Sequence, residues 1–259
     1  MSQSSIKISD EACSLSLKLC EMSTSSKGRF SLALSGGSSP LSLFRLWRGE
    51  FLEKIPWSKI DIYWVDERCV PSESNESNFG VAEREILNII ESEGVRFFPI
   101  DGVADPELEA MRYSQLVTSN LKTNKVNLPV FEGGEFNLKS VEIPIFDFVI
   151  LGIGDDGHTS SIFPGYTELL YSDKTYLHTV NPYNGQKRVA LTGFPIEFAK
   201  FAAFYAEGEA KSSIVAKAQN IVANAGLAGG NGLYDLNYVD FPVADLLLRS
   251  KRAKIYYGK

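Results

Sequence analysis

Apolar positions along this chain alternate between two spacings, one helical and one extended. Ala12, Leu15, Leu19 and Met22 recur at steps of three and four, which predicts an amphipathic helix over Asp10–Met22. Arg29–Leu34 reads as an apolar strand and Ser35–Pro40 as a turn. Pro40 then suits the first turn of a helix running toward Trp47. Ile60–Val65 is a second strand, Phe79–Ile90 a helix and Arg96–Pro99 a short strand. Asp105 and Pro106 form a cap and first-turn pair for a helix through Val117. Phe146–Leu151 is a nearly continuous apolar run, the pattern of a central parallel strand. Thr175–Val180, Lys187–Leu191, Phe201–Ala206 and Ala253–Tyr257 are further strands, with helices at Glu209–Asn220 and Pro242–Leu248. Between Asn120 and Glu142 no period stands out, so the pattern predicts a long surface connection there.

Strands alternating with helices predict an α/β fold, a parallel sheet covered by helices on both sides. The expectation is one domain over 1–259; Pro99–Asp105 and 120–142 are the nearest things to joints, and neither is a convincing boundary. In such a sheet ligands bind beyond the carboxyl ends of the strands. Ser35–Ser39, Asp66–Arg68 and Gly152–Thr159 all begin where predicted strands end, so they can converge from distant parts of the sequence.

Composition narrows the partners. The chain has 259 residues, 44% of them hydrophobic and 22% charged, enough for a sizeable core without disulfides or a structural metal. A net charge of −6 without a basic stripe argues against nucleic acid. An anionic substrate then needs a few cations set against the global sign. No apolar stretch reaches the roughly 18 residues of a membrane span. Cys13, Cys20 and Cys69 have no metal-site spacing and suit a reducing compartment. The amino-terminal sequence lacks the regions of a signal peptide, so the expected location is the cytoplasm.

The segment Leu151–Gly165, LGIGDDGHTSSIFPG, carries the strongest chemical signal. It sets His158 in a glycine-rich turn directly after a buried strand, where an imidazole can move protons near neutral pH. Asp155 or Asp156 could hold the ring in one tautomer, and the residues alone leave both open. The other histidine, His178, falls within a strand and reads as structural. Ser35-Gly36-Gly37-Ser38-Ser39-Pro40 links a strand to a helix, a geometry that aims backbone N–H groups at an anion. It matches no nucleotide fingerprint.

Asp66-Glu67-Arg68 ends a strand: Arg68 can fork onto phosphate or carboxylate, and Asp66 can orient a hydroxyl or accept a proton. Ser77 and Asn78 can reach a polyol or cap the next helix. Arg188 and Lys211 are further cations near predicted strand or helix starts, and with Arg68 they form a candidate phosphate-binding set. Two histidines in separate segments give no metal pattern, and no GxSxG elbow is present. Cys69 follows Arg68, but no histidine has an indicated relation to it.

The ordered set LSGGSSP at 34–40, DERCVP at 66–71 with Ser77-Asn78, GDDGHTSSIFPG at 154–165, RVALTG at 188–193 and EGEAK at 207–211 resembles the 6-phosphogluconolactonase branch of the glucosamine-6-phosphate isomerase/6-phosphogluconolactonase family. That resemblance implies a three-layer α/β/α fold with a mostly parallel, Rossmann-like sheet, similar to the glucosamine-6-phosphate isomerase/ribose-5-phosphate isomerase group. It implies hydrolysis of a phosphorylated sugar lactone, with no redox cofactor, no metal, and a monomer or small homo-oligomer. His158 would be the general base, with Asp66 and Asp155 as the catalytic carboxylates beside it. Gly36, Gly37, Ser38, Arg68, Asn78, Arg188 and Lys211 would bind substrate.

Two departures stand out: Ser160 where the family often has alanine, and FPVADLLLRS with Asp245 but no tryptophan near the carboxyl end. The alternatives are a glucosamine-6-phosphate deaminase/isomerase and a non-catalytic phosphosugar-binding protein. The deaminases typically carry tyrosine after Asp-Glu and an asparagine-glutamate pair after the histidine loop; here Arg68 and Ser161-Ile162-Phe163-Pro164-Gly165 stand instead.

Overall fold

The continuous apolar runs become strands buried along their length, as a sheet covered on both faces requires. A computed structural model describes residues 9–37, 39–227 and 238–259. In chain order the elements are α1 (Asp10–Ser25), β1 (Phe30–Leu34), α2 (Pro40–Arg48), β2 (Ile60–Trp64), β3 (Asp66–Arg68), α3 (Asn78–Ala82), α4 (Asn88–Ile90) and β4 (Arg96–Phe98). Next come α5 (Pro106–Asn120), β5 (Thr123–Glu132), β6 (Glu135–Pro144), β7 (Phe148–Gly152), α6 (Thr167–Leu170), β8 (Tyr176–Val180) and β9 (Lys187–Leu191). The chain ends with α7 (Gly193–Glu197), β10 (Ala202–Glu207), α8 (Ser212–Leu227), α9 (Pro242–Arg249) and β11 (Ala253–Gly258). A π-helical turn at Glu83–Leu87 joins α3 to α4.

Six strands form one sheet in the order β11-β10-β7-β1-β2-β4, and every pairing in it is parallel. With its flanking helices this is the three-layer α/β/α arrangement. The chain builds outward from β1 through β2 to β4, then restarts at β7 on the other side and builds outward to β11. The reversal lies between β1 and β7. Local chemistry sets the helix starts: Ser9 Oγ accepts from the Ala12 N–H at 3.2 Å, and Asp105 Oδ1 accepts from the Glu107 and Leu108 N–H groups at 3.1 Å, just ahead of Pro106.

Residues 120–142 are not a surface connection. They close α5 and form most of an antiparallel hairpin, β5 with β6, in register from Thr123–Pro144 to Glu132–Glu135. Val126, Leu128 and Val130 alternate, as do Val141 and Ile143 on the partner strand, and Leu128, Val130, Val141 and Ile143 are buried. Gly133 and Gly134 make the two-residue turn with φ of 62° and 91°, conformations that match the twist of the flanking strands. The signal was present, but polar residues on the open face masked its period of two.

The strands near 175–191 also lie outside the main sheet. β8 and β9 pair antiparallel with β3 in a separate three-stranded sheet. Asp66-Glu67-Arg68 is therefore a strand of its own: the chain leaves β2 at Val65 and turns at once into the second sheet.

Beneath α9 a buried polar network ties three elements together. Arg249 Nε donates to Asp245 Oδ2 at 2.8 Å, its Nη1 donates to Glu197, and Tyr171 donates to Asp245 Oδ1 at 2.6 Å. The Arg249 guanidinium also lies 4.6 Å from the centre of the Tyr171 ring. Asp245 thus serves packing. Arg249→Leu removes the buried cation that faces the Asp245 and Glu197 carboxylates, and the expected loss is about 3–5 kcal/mol of folding free energy, read from the urea denaturation midpoint.

Candidate active site

Neighbouring strands in parallel register deliver their carboxyl ends to one place. Leu34 stands beside both Ile150 and Trp64. The Ser35 N–H donates to the Ile150 carbonyl at 3.0 Å, and the Val65 N–H to the Leu34 carbonyl at 2.9 Å. The loops leaving β1, β2 and β7 therefore open side by side at the point where strand order reverses, where ligands of such sheets bind. They line a cleft of about 200 Å³. Gly36, Gly37, Asp66, Arg68, Asn78, Asp155, His158, Arg188 and Lys211 all line it. Ser38 lies outside the described residues.

His158 is fixed by its own loop. Nδ1 lies 2.6 Å from Asp156 Oδ1, and the same oxygen accepts the His158 backbone N–H at 2.9 Å. A carboxylate only accepts, so Nδ1 carries the proton in the neutral ring and Nε2 is left as the basic nitrogen. One face of the imidazole packs on Phe163, with ring centres 4.6 Å apart. On another side it lies so close to Gly154 that a Cβ there would sit 2.1 Å from Nδ1. Burial acts to raise the Asp156 pKa, but the hydrogen bonds from the His158 ring, the Tyr183 hydroxyl and the His158 N–H outweigh it and hold the carboxyl well below its usual range.

The carboxylate on the imidazole is therefore Asp156 and not Asp155. Asp155 turns the other way, to Lys211, whose Nζ donates to Asp155 Oδ1 at 2.6 Å and to the Ile153 carbonyl at 2.9 Å. Adjacent residues in a tight turn point to opposite sides, which places one acid on the base and one on a cation.

Arg68 and Arg188 face each other across the β3–β9 ladder. Like charges directly opposite destabilise a sheet, so the pairing is better suited to gripping an anion than to holding the strands together. Arg188 is buried: its Nη2 donates to Gln186 Oε1 at 3.0 Å, its Nη1 to Ser161 Oγ at 3.3 Å, and Asp66 Oδ2 lies 3.8 Å from Nη1. Burial pulls its pKa down, Asp66 opposes this, and the Arg68 charge adds to the lowering. Arg68 Nη1 donates to the Glu76 carbonyl. The Nε atoms of Arg68 and Arg188 and Oδ1 of Asn78 are buried without a hydrogen-bond partner among the described residues. All three belong to residues that line the cleft, so its cationic wall carries hydrogen-bonding capacity that the described residues do not use up.

Asp66 is the hub of this wall. It accepts from Ser161 Oγ at Oδ2 and from Asn78 Nδ2 and Ser35 Oγ at Oδ1, at 3.3 and 3.4 Å for the latter two. Its partner Ser161 and the preceding Ser160 both hold left-handed backbone, with φ of 54° and 52°. That strained pair is kept by its hydroxyls, since Ser160 Oγ donates to the Leu191 carbonyl at 2.7 Å while Ser161 holds Asp66. The serine in the common alanine position thus ties the histidine loop to the end of β9.

Glu67 does not enter the cleft. Its carboxylate accepts the N–H groups of Arg68, Asn78 and Phe79 at 2.7, 2.7 and 2.8 Å, and the Ser77 hydroxyl at 3.0 Å. Ser77 in turn caps α3 through the Gly80 N–H at 3.0 Å. With the helix start satisfied by these two, Asn78 is free to turn its side chain to Asp66. His178 is exposed on β8. The half-buried Cys69 thiol is pushed up to about 11 by burial and the nearby Glu67, which disfavours a thiolate nucleophile.

Residues 3–227 match the family described as glucosamine-6-phosphate isomerases/6-phosphogluconolactonase. The chain belongs to this family. A 6-phosphogluconolactonase of Treponema pallidum is 34% identical over 185 residues, covering 71% of this chain and 70% of that protein. Another, from Nostoc sp., is 34% identical over 211 residues, covering 80% and 79%. The solved 6-phosphogluconolactonase of Trypanosoma cruzi superposes with a TM-score of 0.74 at 26% identity, covering 97% of this chain and 91% of that one. A monomeric glucosamine-6-phosphate deaminase superposes with a TM-score of 0.67 at 19% identity over 97% of this chain and 94% of its own, a likeness of fold alone. The glucosamine-6-phosphate isomerase/6-phosphogluconolactonase scaffold therefore does not choose between its two chemistries; the cleft must.

Asp156, Ser161, Tyr183 and Gln186 also belong to the site, and sequence reasoning assigned none of them a settled role. Only the Asp-Asp pair carried a signal, and it left the choice open. The Asp156 shift has a measurable sign. Its folded pKa is depressed, so its contribution to stability is complete above the unfolded carboxylate range, near pH 4, and is lost as pH falls toward the folded value. The stability gap between wild type and Asp156→Asn, from denaturation at pH 7 down to pH 3, should be constant at the upper end and shrink at the lower.

Proposed function

We propose that this protein hydrolyses 6-phospho-D-glucono-1,5-lactone to 6-phosphogluconate, the lactone-opening step of the oxidative pentose phosphate pathway. The observation that carries the reading is one cleft holding a histidine base, fixed through Nδ1 by a carboxylate, beside a wall of paired arginines. It works in the cytoplasm on a small phosphorylated lactone, as a monomer or small homo-oligomer, without a redox cofactor. No described helix is long and apolar enough to cross a membrane.

The phosphate sits on the cationic groups, Arg68 and Arg188 from one wall and Lys211 from the other, aided by N–H groups of the Gly36-Gly37 turn. Binding energy at that remote end becomes orientation at the lactone carbonyl. Nε2 of His158 takes a proton from water as the water oxygen bonds to C1. Asp156 stabilises the imidazolium without taking its proton. The tetrahedral intermediate collapses by breaking the bond between C1 and the ring oxygen. His158 returns the proton to that oxygen, and the new carboxylic acid ionises to solvent. Asp66, held by Ser161 and Asn78, orients substrate hydroxyls. Asp155 acts through Lys211, setting where its ammonium stands.

Two substitutions test the assignments. His158→Ala should slow hydrolysis of fresh lactone by roughly 10²–10⁴-fold, measured as acid release above the spontaneous rate, while phosphate-ligand affinity largely survives. A near-native rate would remove His158 from the base role, and no acceleration by the wild type would redirect the search to glucosamine-6-phosphate. Arg68→Ala should raise KM for the phosphorylated lactone by about 10- to 100-fold and leave turnover of an unphosphorylated lactone nearly unchanged. Equal losses on both would show that Arg68 does not hold the phosphate.

A further inference from the structure

The turn between β8 and β9, residues 181–186, bonds to the surroundings of the cleft at two places. At one, Gln186 Oε1 accepts from Arg188. At the other, Tyr183 donates its hydroxyl to Asp156 Oδ2 at 2.5 Å. The turn is well built for this. The Asn181 N–H donates to the Gln186 carbonyl and the Gly185 N–H to the Asn181 carbonyl, both at 2.9 Å. Asn181 Oδ1 accepts the Tyr183 N–H at 2.9 Å, and Asn184 Oδ1 accepts the Gln186 N–H at 3.0 Å. These bonds hold Tyr183 at a fixed height over the histidine loop.

Burial does not account for this tyrosine, because it stands 69% exposed. Its contacts are specific all the same. The ring meets Phe163 edge-on, with centres 6.1 Å apart, and Phe163 is the ring on which His158 packs. The hydroxyl takes the carboxylate oxygen that His158 leaves open. Asp156 Oδ1 already receives two donors from His158, and both act at one end of the carboxylate. The torsion that turns a carboxylate about its last bond is soft and broad. A donor on Oδ2 stops that rotation, and with it the rocking of the imidazole.

We propose that Tyr183 is a positioning residue for the hydrolytic histidine: its hydroxyl locks the Asp156 carboxylate against Nδ1–H and so keeps Nε2 aimed at the attacking water. The proposal rests on the lactone-hydrolase reading above. Tyr183 touches neither the ring nitrogens nor the phosphate wall; it acts through Asp156. It contributes to the oriented chemical step and not to substrate capture, so its loss falls on kcat.

Tyr183→Phe removes the hydroxyl and keeps the ring edge on Phe163. The expected result is a kcat lower by about 3- to 10-fold, the range of one hydrogen bond, with KM and Tm nearly unchanged. A second readout needs no substrate. The Nδ1–H proton of His158, assigned by its absence in His158→Ala, should give a protected downfield NMR signal in the wild type and broaden in Tyr183→Phe as exchange with water quickens. An unchanged kcat, a raised KM at unchanged kcat, or an unchanged Nδ1–H signal would each overturn the proposal. A wild type without lactonase activity would defeat the functional reading instead, and the NMR comparison would still report on the Tyr183–Asp156–His158 contact.

Discussion

β1 and β7 lie side by side although more than a hundred residues separate them, and the parallel register between them governs the rest of the site. Both strands are buried on both faces, so neither can slip without exposing its apolar residues or stranding its backbone groups. Their fixed carboxyl ends bring Ser35-Gly36-Gly37 next to Gly152-Ile153-Gly154. On the far side of β1 the chain leaving β2 runs into β3, which adds Asp66 and Arg68 to the same opening. The chain reverses its building direction at this point, which leaves a gap between the diverging loops.

The second sheet answers a different demand. A parallel sheet alone would end at these loops with one wall of the cleft missing. The turn out of β2 into β3 supplies that wall, and β9 sets Arg188 opposite Arg68. Concentrating positive charge in a protein of net charge −6 requires local support. Asp66, Ser161 and Gln186 hold Arg188 in place. Stability is supplied elsewhere, by the apolar strands and by the buried Arg249 network.

On the opposite wall the histidine is held by short-range geometry. Asp156 is two residues away and binds both its backbone and its ring. The glycine at 154 gives the imidazole room, and the strained Ser160-Ser161 pair turns the chain back toward Asp66 and β9. A ring confined by a carboxylate, an aromatic face and a backbone is pre-organised, so little reorganisation is left for the reaction step.

The sequence by itself determined the strands and helices of the main sheet, the convergence of three loops and the candidate chemistry, because apolar periodicity and strand-end motifs are local properties. It pointed to His158, Arg68, Arg188, Lys211, Asp66 and Asn78, and the fold brings all of them to one cleft. It misread 120–142, where exposed polar residues hid the alternation of a hairpin. Only the tertiary structure decided that Asp156 and not Asp155 meets the imidazole, since neighbouring side chains in a turn diverge by angles that spacing cannot supply. It alone withdrew Glu67 to cap a helix and set Tyr183 over the histidine loop. Both depend on how separate segments pack in three dimensions, and no periodicity along one segment encodes that.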